Sequence, residues 1–219
     1  MQIRAWFFRV ALFGIALVTG GMVQAQQDAN FADFFYFSKG DTPDNWQWVL
    51  SDPGNWWMPL AGNQGVTEGG KLAMEPSDDK RFPKAVKLTW AKSDQFGGAK
   101  ITGRTLDLSK YEHNGQLMLA LKVTAKTKKS VEVKMECGDK CEGKVVIQDF
   151  LKKAKMNEWF ALPIPLDCFV QQGANLKNVT SPFSIGTNGK MVVYIAEISL
   201  QAMAEGDEGC MPNDGDVEK

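Results

Sequence analysis

Histidine is almost missing from this chain: His113 is the only one in 219 residues. Ser-His-Asp and Cys-His chemistry needs an imidazole held against a nucleophile inside a pocket. His113 lies in Lys110-Tyr111-Glu112-His113-Asn114-Gly115, a polar turn ahead of a strand, where an exposed turn residue is expected. Zinc is disfavoured on the same ground, because no second ligand pair accompanies the cysteines. Arginine is nearly as scarce, with only Arg81 and Arg104 beyond residue 25. No basic stripe or arginine-rich arm is present, and 25 Lys and Arg stand against 26 Asp and Glu, which argues against nucleic acid. The run Lys126-Thr127-Lys128-Lys129 reads instead as the solvated tip of a hairpin. Phosphate-cradling glycine loops, dinucleotide fingerprints and paired-histidine metal motifs are also absent from the sequence.

Long apolar runs are missing too. Val10 to Val18 is the apolar core of the first segment, about half the ~20 residues a bilayer span needs. Arg4 and Arg9 precede it and Val23-Gln24-Ala25 presents small residues after it, so residues 1–25 are expected to be a signal peptide cleaved after Ala25. Cleavage would leave 194 residues, 23 basic and 26 acidic, enough to bury one core without a metal or partner. The expected location is periplasmic or extracellular, with no membrane span after cleavage.

Cysteine is sparse: Cys137, Cys141, Cys168 and Cys210 all follow the leader, in a compartment where disulfides persist. The favoured pairing joins Cys137 to Cys141 around Gly138 and Cys168 to Cys210. The alternatives are a bond from Cys168 to one of the first pair, leaving Cys210 unpaired, or a metal or redox role. Redox chemistry is disfavoured because the spacing is C-x-x-x-C and no helix follows.

What the chain does contain is alternation. Leu117, Leu119, Leu121 and Val123 share one face of a strand while Met118, Ala120 and Lys122 take the other, and Val131, Val133 and Met135 alternate likewise with Glu132, Lys134 and Glu136. These two runs are expected to form a hairpin turning at Lys126 to Ser130. Further strands are expected at Phe31 to Phe37, Trp46 to Leu50, Ala85 to Lys92, Lys100 to Leu106, Trp159 to Pro165, Phe183 to Thr187 and Met191 to Leu200. Short helical turns fit Gln148 to Lys153 and Phe169 to Gln172. The expected fold is all-β: an antiparallel sandwich over residues 26–200 with one or two short helices, then an acidic mobile tail, 201–219. Proline and glycine break residues 43–70 into loops, and Trp46, Trp48, Trp56 and Trp57 gather there.

Several segments carry a family resemblance: Cys137-Gly138-Asp139-Lys140-Cys141, Pro165-Leu166-Asp167-Cys168-Phe169, Gly173-Ala174-Asn175-Leu176, Pro182-Phe183 and Ile195-Ala196-Glu197-Ile198-Ser199-Leu200. They resemble the galactose-binding-like carboxy-terminal domain of exo-β-glucanases in glycoside hydrolase family 3. The likeness extends less clearly back to Asp79 through Trp90. It implies a jelly-roll accessory module that serves a sugar-related role without catalysis. In related modules the position of Glu197 lies near a structural calcium ion; that ion stays open here, although no contiguous ligand loop is visible.

A sugar-binding module needs aromatic platforms and a few directional polar groups. Trp46, Trp56 and Trp57 are the candidate platforms because loops can present rings to solvent, while Trp90 and Trp159 read as core. Asn55 and Arg81 are the leading polar partners, with Asn45, Gln47 and Asn63 on the same expected side. A glycosidase would need only two carboxylates about 5–10 Å apart, for which Asp94, Asp107, Asp167 and Glu197 are the most open candidates. Asp167 is expected instead to cap the helix starting near Phe169. The resulting expectation is a secreted, non-catalytic module holding a β-glucan or related glycan, alone or beside a separate glycoside hydrolase. The alternative is a structural or interaction domain docking on an envelope protein.

Overall fold

The computed structural model describes residues 34–77, 79–204, 206, 209 and 210. The expected leader, the start of the first expected strand and most of the expected tail lie outside the described residues. Thirteen strands are present among those described: β1 Phe35–Ser38, β2 Gln47–Asp52, β3 Asn55–Pro59, β4 Gly65–Val66, β5 Leu72–Pro76, β6 Val86–Trp90, β7 Gly97–Thr102, β8 Gly115–Ala125, β9 Val131–Glu136, β10 Glu142–Val146, β11 Trp159–Pro165, β12 Ser181–Thr187 and β13 Met191–Ala202. Two short helices join them, α1 Gln148–Lys153 and α2 Leu166–Gln171.

Every pairing among the described strands is antiparallel. One sheet has seven strands in the order β11-β8-β13-β6-β5-β4, with β1 also on β13; the other has six, β10-β9-β12-β7-β2-β3. The expected sandwich therefore forms. Period-two alternation fills its interior: Leu117, Leu119, Leu121 and Val123 from β8, and Val131, Val133 and Met135 from β9, have no solvent exposure. Burying each such side chain stabilises the fold by roughly 2 kcal/mol. Trp48 packs edge-on against Phe37 at 5.5 Å and Phe183 at 6.1 Å. Among the described residues no helix is long and apolar enough to cross a membrane.

The expected hairpin does not form. β8 pairs with β11 and β13, whereas β9 pairs with β10 and β12, so the two strands lie in opposite sheets. Alternation in both strands is satisfied equally by lying side by side or by sitting in facing layers. Residues 126–130 thus arch from one sheet to the other.

Residues 43–70, expected as loops, contain β3 and β4, and β5 and β10 are two more strands beyond those expected. The disulfides are Cys137–Cys141 and Cys168–Cys210, the favoured pairing, and none of the four cysteines is left unpaired. Asp167 does not cap its helix: α2 begins at Leu166 behind Pro165 without a side-chain cap. Both Asp167 carboxylate oxygens instead accept the Cys210 amide, at 3.1 and 3.0 Å, so this acid helps the disulfide hold the end of the chain.

Candidate functional site

The outer face of the six-stranded sheet is built by a defect in its edge. In the β2–β3 pairing Leu50 faces Met58 and Asp52 faces Asn55, so Ser51 alone stands opposite both Trp56 and Trp57. A regular strand would send successive side chains to opposite faces, but such a bulge places both indoles toward solvent. Trp56 is 60% exposed and Trp57 51%. Both candidate platforms are thus presented, from an edge strand and not from a loop.

Asp52, fully buried, fixes this edge. Its Oδ1 accepts the amides of Gly54 at 2.8 Å and Asn55 at 3.3 Å, and Oδ2 accepts the Lys71 amide at 3.3 Å. Burial pushes the carboxyl pKa up, but the Thr67 hydroxyl and the amides of Gly54, Lys71 and Gly69 outweigh it and hold it below the usual range. Gly69 is required here, since a Cβ would sit 2.5 Å from Oδ2. Lys71 extends the same knot. Its buried ammonium donates to the carbonyls of Gly189, at 2.7 Å, and Lys92, and burial lowers its pKa despite the opposing charge of Asp94. Lys71 thereby ties the β3 turn to the loop that carries Phe96.

Phe96 completes the aromatic edge. Its ring lies 6.0 Å from that of Trp56 at 29°, a stacked pair. It rests over Gly98 and Gly186, which face each other across β7 and β12; a Cβ on Gly186 would come within 2.6 Å of the ring. Beyond the rings lies a hollow of 220 Å³, with Ser51, Lys100, Lys134, Glu136 and Ser184 among its lining groups. The Lys100 ammonium stands 5.0 Å from the Trp57 ring and 2.6 Å from Glu136. Lys134 pairs with Glu142 at 2.8 Å and Lys144 with Glu132 at 3.5 Å. These three lysines of the face are each balanced by a carboxylate.

Other expected site residues fall elsewhere. Trp46 is a core residue, 8% exposed: its amide donates to Pro43 and the Thr42 hydroxyl holds its carbonyl, a turn that swings the ring onto Tyr36 at 5.7 Å. Arg81 is on the other side of the molecule, between β5 and β6, beside a hollow on the outer face of the seven-stranded sheet. It therefore does not join Trp56 and Trp57. Asn55 gives its amide group to Glu68 at 2.7 Å and accepts the Trp57 amide at 2.8 Å, so it orients the platform strand. Gln47 is exposed on β2, while Asn63 is tied to the Gly40 carbonyl at 2.5 Å and Asn45 occupies a left-handed turn with φ 67°. Trp90 is core, as expected, and Trp159 is half-buried against Phe82, 4.6 Å away.

The four candidate acids are not gathered. Asp94 pairs with Lys129 at 2.8 Å, Asp107 accepts from Ser109 at 2.6 Å, Asp167 holds Cys210, and Glu197 accepts from Ser199 at 3.0 Å on the opposite sheet. His113 is exposed in its turn, with 85% of its side chain accessible. Among the described residues no three His, Cys, Asp or Glu side chains cluster in a way that could hold an ion, at Glu197 or elsewhere. Sequence reasoning missed Phe96, Lys71, Lys100 and Lys134. Their only signal was position: Phe96 immediately precedes a strand, and Lys100 and Lys134 take outward positions in alternating runs, as any surface lysine of a strand does.

Among solved structures the chain is similar to the extra carboxy-terminal domain of an exo-1,3/1,4-β-glucanase (ExoP) from a Pseudoalteromonas species. Identity is 16% and the TM-score 0.63, covering 77% of this chain and 91% of that domain. The whole glucanase is matched over 20% of its length. A family 30 carbohydrate-binding module of a Clostridium thermocellum cellulosomal cellulase matches at 17% identity and TM-score 0.55, over 76% of this chain and 95% of the module. A family 11 module from Clostridium thermocellum, in complex with a β-1,3-1,4-mixed-linked tetrasaccharide, matches at 12% and 0.50, over 76% and 94%. No curated protein matches significantly. Residues 44–200, most of the chain, match the Exop_C family, described as galactose-binding domain-like, and the chain belongs to that family.

Proposed function

We propose that this protein is an exported, non-catalytic carbohydrate-binding module. Its outer six-stranded face would hold a neutral glycan, a β-glucan or a related chain. The observation that carries this reading is the exposure of Trp56 and Trp57 on one face, beside a polar hollow with paired charges. The apolar face of a pyranose can rest on an indole while Ser51, Ser184 and the lysine–carboxylate pairs meet its hydroxyls. Charge balance favours an uncharged ligand, because an anionic one would find each lysine already neutralised. Similarity to two carbohydrate-binding modules, one bound to a mixed-linked β-glucan tetrasaccharide, supports the ligand class. The two disulfides support an oxidising compartment, in keeping with residues 1–25 acting as a leader.

Affinity electrophoresis in laminarin or mixed-linked β-glucan tests it. The unaltered protein should be retarded, and Trp56→Ala or Trp57→Ala should each weaken binding by about 2 kcal/mol, roughly thirtyfold. Absence of retardation in every glycan gel would refute the sugar site, and released reducing ends would refute the non-catalytic assignment.

A further inference from the structure

One end of the sandwich carries a charge unlike the rest of the molecule. Residues 91–96, 126–130, 147–158 and 188–190 hold eight lysines and three carboxylates. That leaves 17 of the chain's 25 Lys and Arg against 23 of its 26 Asp and Glu for everything else. Hydrogen bonds stitch the four segments into one surface. The Lys126 ammonium donates to the carbonyls of Lys152, at 2.8 Å, and Ala154, at 2.5 Å, which end α1. The Gln148 amide donates to Thr127 at 2.8 Å, the Asp94 amide to Asn188 at 2.7 Å, and Lys129 pairs with Asp94 at 2.8 Å.

Apolar side chains protrude from the same end. Phe150 on α1 is 57% exposed, Val146 before the helix 54% and Met156 after it 48%. Leu151 supplies the helix's contact with the core, leaving Phe150 without that role. Lys152, Lys153 and Lys155 surround these side chains in the sequence, Lys152 and Lys153 on the exposed side of α1 and Lys155 just beyond it. Lys152 pairs with Asp149 at 2.7 Å and Lys155 with Glu158 at 3.7 Å, so with Lys129 on Asp94 the three carboxylates of this end are all engaged and five of its eight lysine charges stay in excess, unlike the fully balanced lysines of the six-stranded face.

We infer that this lysine-rich end docks on an anionic lipid surface, with Phe150 and Met156 entering the headgroup boundary. Both halves of the feature are used by that partner: anionic headgroups attract the lysines, and the acyl boundary accepts the apolar tips. A polyanion without an apolar layer would use only the charge. Phe96, stacked on Trp56, closes the first of the four segments, but Phe150, Lys152, Lys153, Lys155 and Met156 line no part of the glycan hollow, so substitutions there separate lipid docking from glycan binding.

Cosedimentation of the mature chain, residues 26–219, with phosphatidylglycerol-containing and pure phosphatidylcholine vesicles tests the inference. Leaving out the leader, whose own apolar run would hold every variant on the vesicles, keeps the comparison sensitive to this end of the sandwich. The preference for anionic vesicles should fall about fivefold for each lysine removed, on the order of a hundredfold for the triple change Lys152→Ser, Lys153→Ser and Lys155→Ser. Phe150→Ser with Met156→Ser should weaken vesicle binding severalfold at constant charge. Retardation in the laminarin gel should match that of the unaltered chain in every variant, which reports intact folding separately from lipid binding. Unchanged vesicle binding by the lysine variant would overturn the inference. Loss with the lysine variant but not with Phe150→Ser and Met156→Ser would overturn it in favour of simple polyanion attraction.

Discussion

The sandwich has two outer faces, and the larger hollow lies on the one without the tryptophan platform. On the seven-stranded sheet a depression of 680 Å³ has a floor of Met118, Ala120, Ala161 and Ala196, rimmed by Arg81, Phe82 and Glu197. On the six-stranded sheet the hollow is 220 Å³, but two exposed indoles and paired charges stand around it. Its alanine floor offers little area and no ring for a pyranose to rest on, so polar groups such as Arg81 and Glu197 stand only at the rim. What separates the faces is what the strands project: on the six-stranded sheet an edge bulge, with a glycine pair beneath the neighbouring Phe96 ring, sets two indoles in solvent.

The largest expected effect comes from removing the anchor under the aromatic edge. Asp52→Ala removes the buried carboxylate that accepts the amides of Gly54, Asn55 and Lys71, and should destabilise the protein by about 2 kcal/mol, read as a lower denaturant midpoint, with glycan retardation lost as well. Were retardation to survive, the two faces would not differ in the way described.

The other face has its own anchor, and it is sensitive to acid. Asp79 forms an ion pair with Lys122, whose ammonium also lies 4.0 Å from the Tyr194 ring centroid. The Lys122 hydrogen bond is the main cause that holds the Asp79 carboxyl at about 2, with burial opposing and the amides of Phe82 and Arg81 assisting. Because the folded pKa lies below the ordinary 3.8, the stabilisation is present above about pH 4 and lost as pH falls toward 2. Asp79→Asn should remove about 1 kcal/mol of that pH dependence after allowance for solvent screening, flattening the acid limb of the stability curve. Glycan retardation at neutral pH should not change.

Gly186→Ala should have the smallest effect. A methyl group there displaces the Phe96 ring and with it the stacked support of Trp56, so affinity should fall a few-fold while stability changes by less than about 1 kcal/mol. An equal fall for Phe82→Ala, on the other face, would erase the distinction between the faces.

Strands with clean alternation were legible from the sequence, and so were α1 and Trp159–Pro165, whose boundaries match the expected ones. β3 was not, because adjacent Trp56 and Trp57 break the period of two that marks a strand; the bulge that reconciles them exists only once β2 is paired alongside. The same limit hid the sheet membership of β8 and β9, whose patterns are identical whether they pair or lie in facing layers. Trp46 and Trp56 are both near proline-containing turns, yet one is core and one is platform, since the direction of each turn is fixed by partners far along the chain. Arg81 shared a region of sequence with the tryptophans but was carried to the other sheet by β5 and β6.

By itself the sequence determined the layered β architecture and the two disulfides' favoured pairing, since periodicity and spacing are local properties. Tertiary structure alone decided which rings reach solvent, which lysines are neutralised and where the remaining positive charge collects. Those depend on strand order and register, which bring together residues as distant as Lys71 and Gly189.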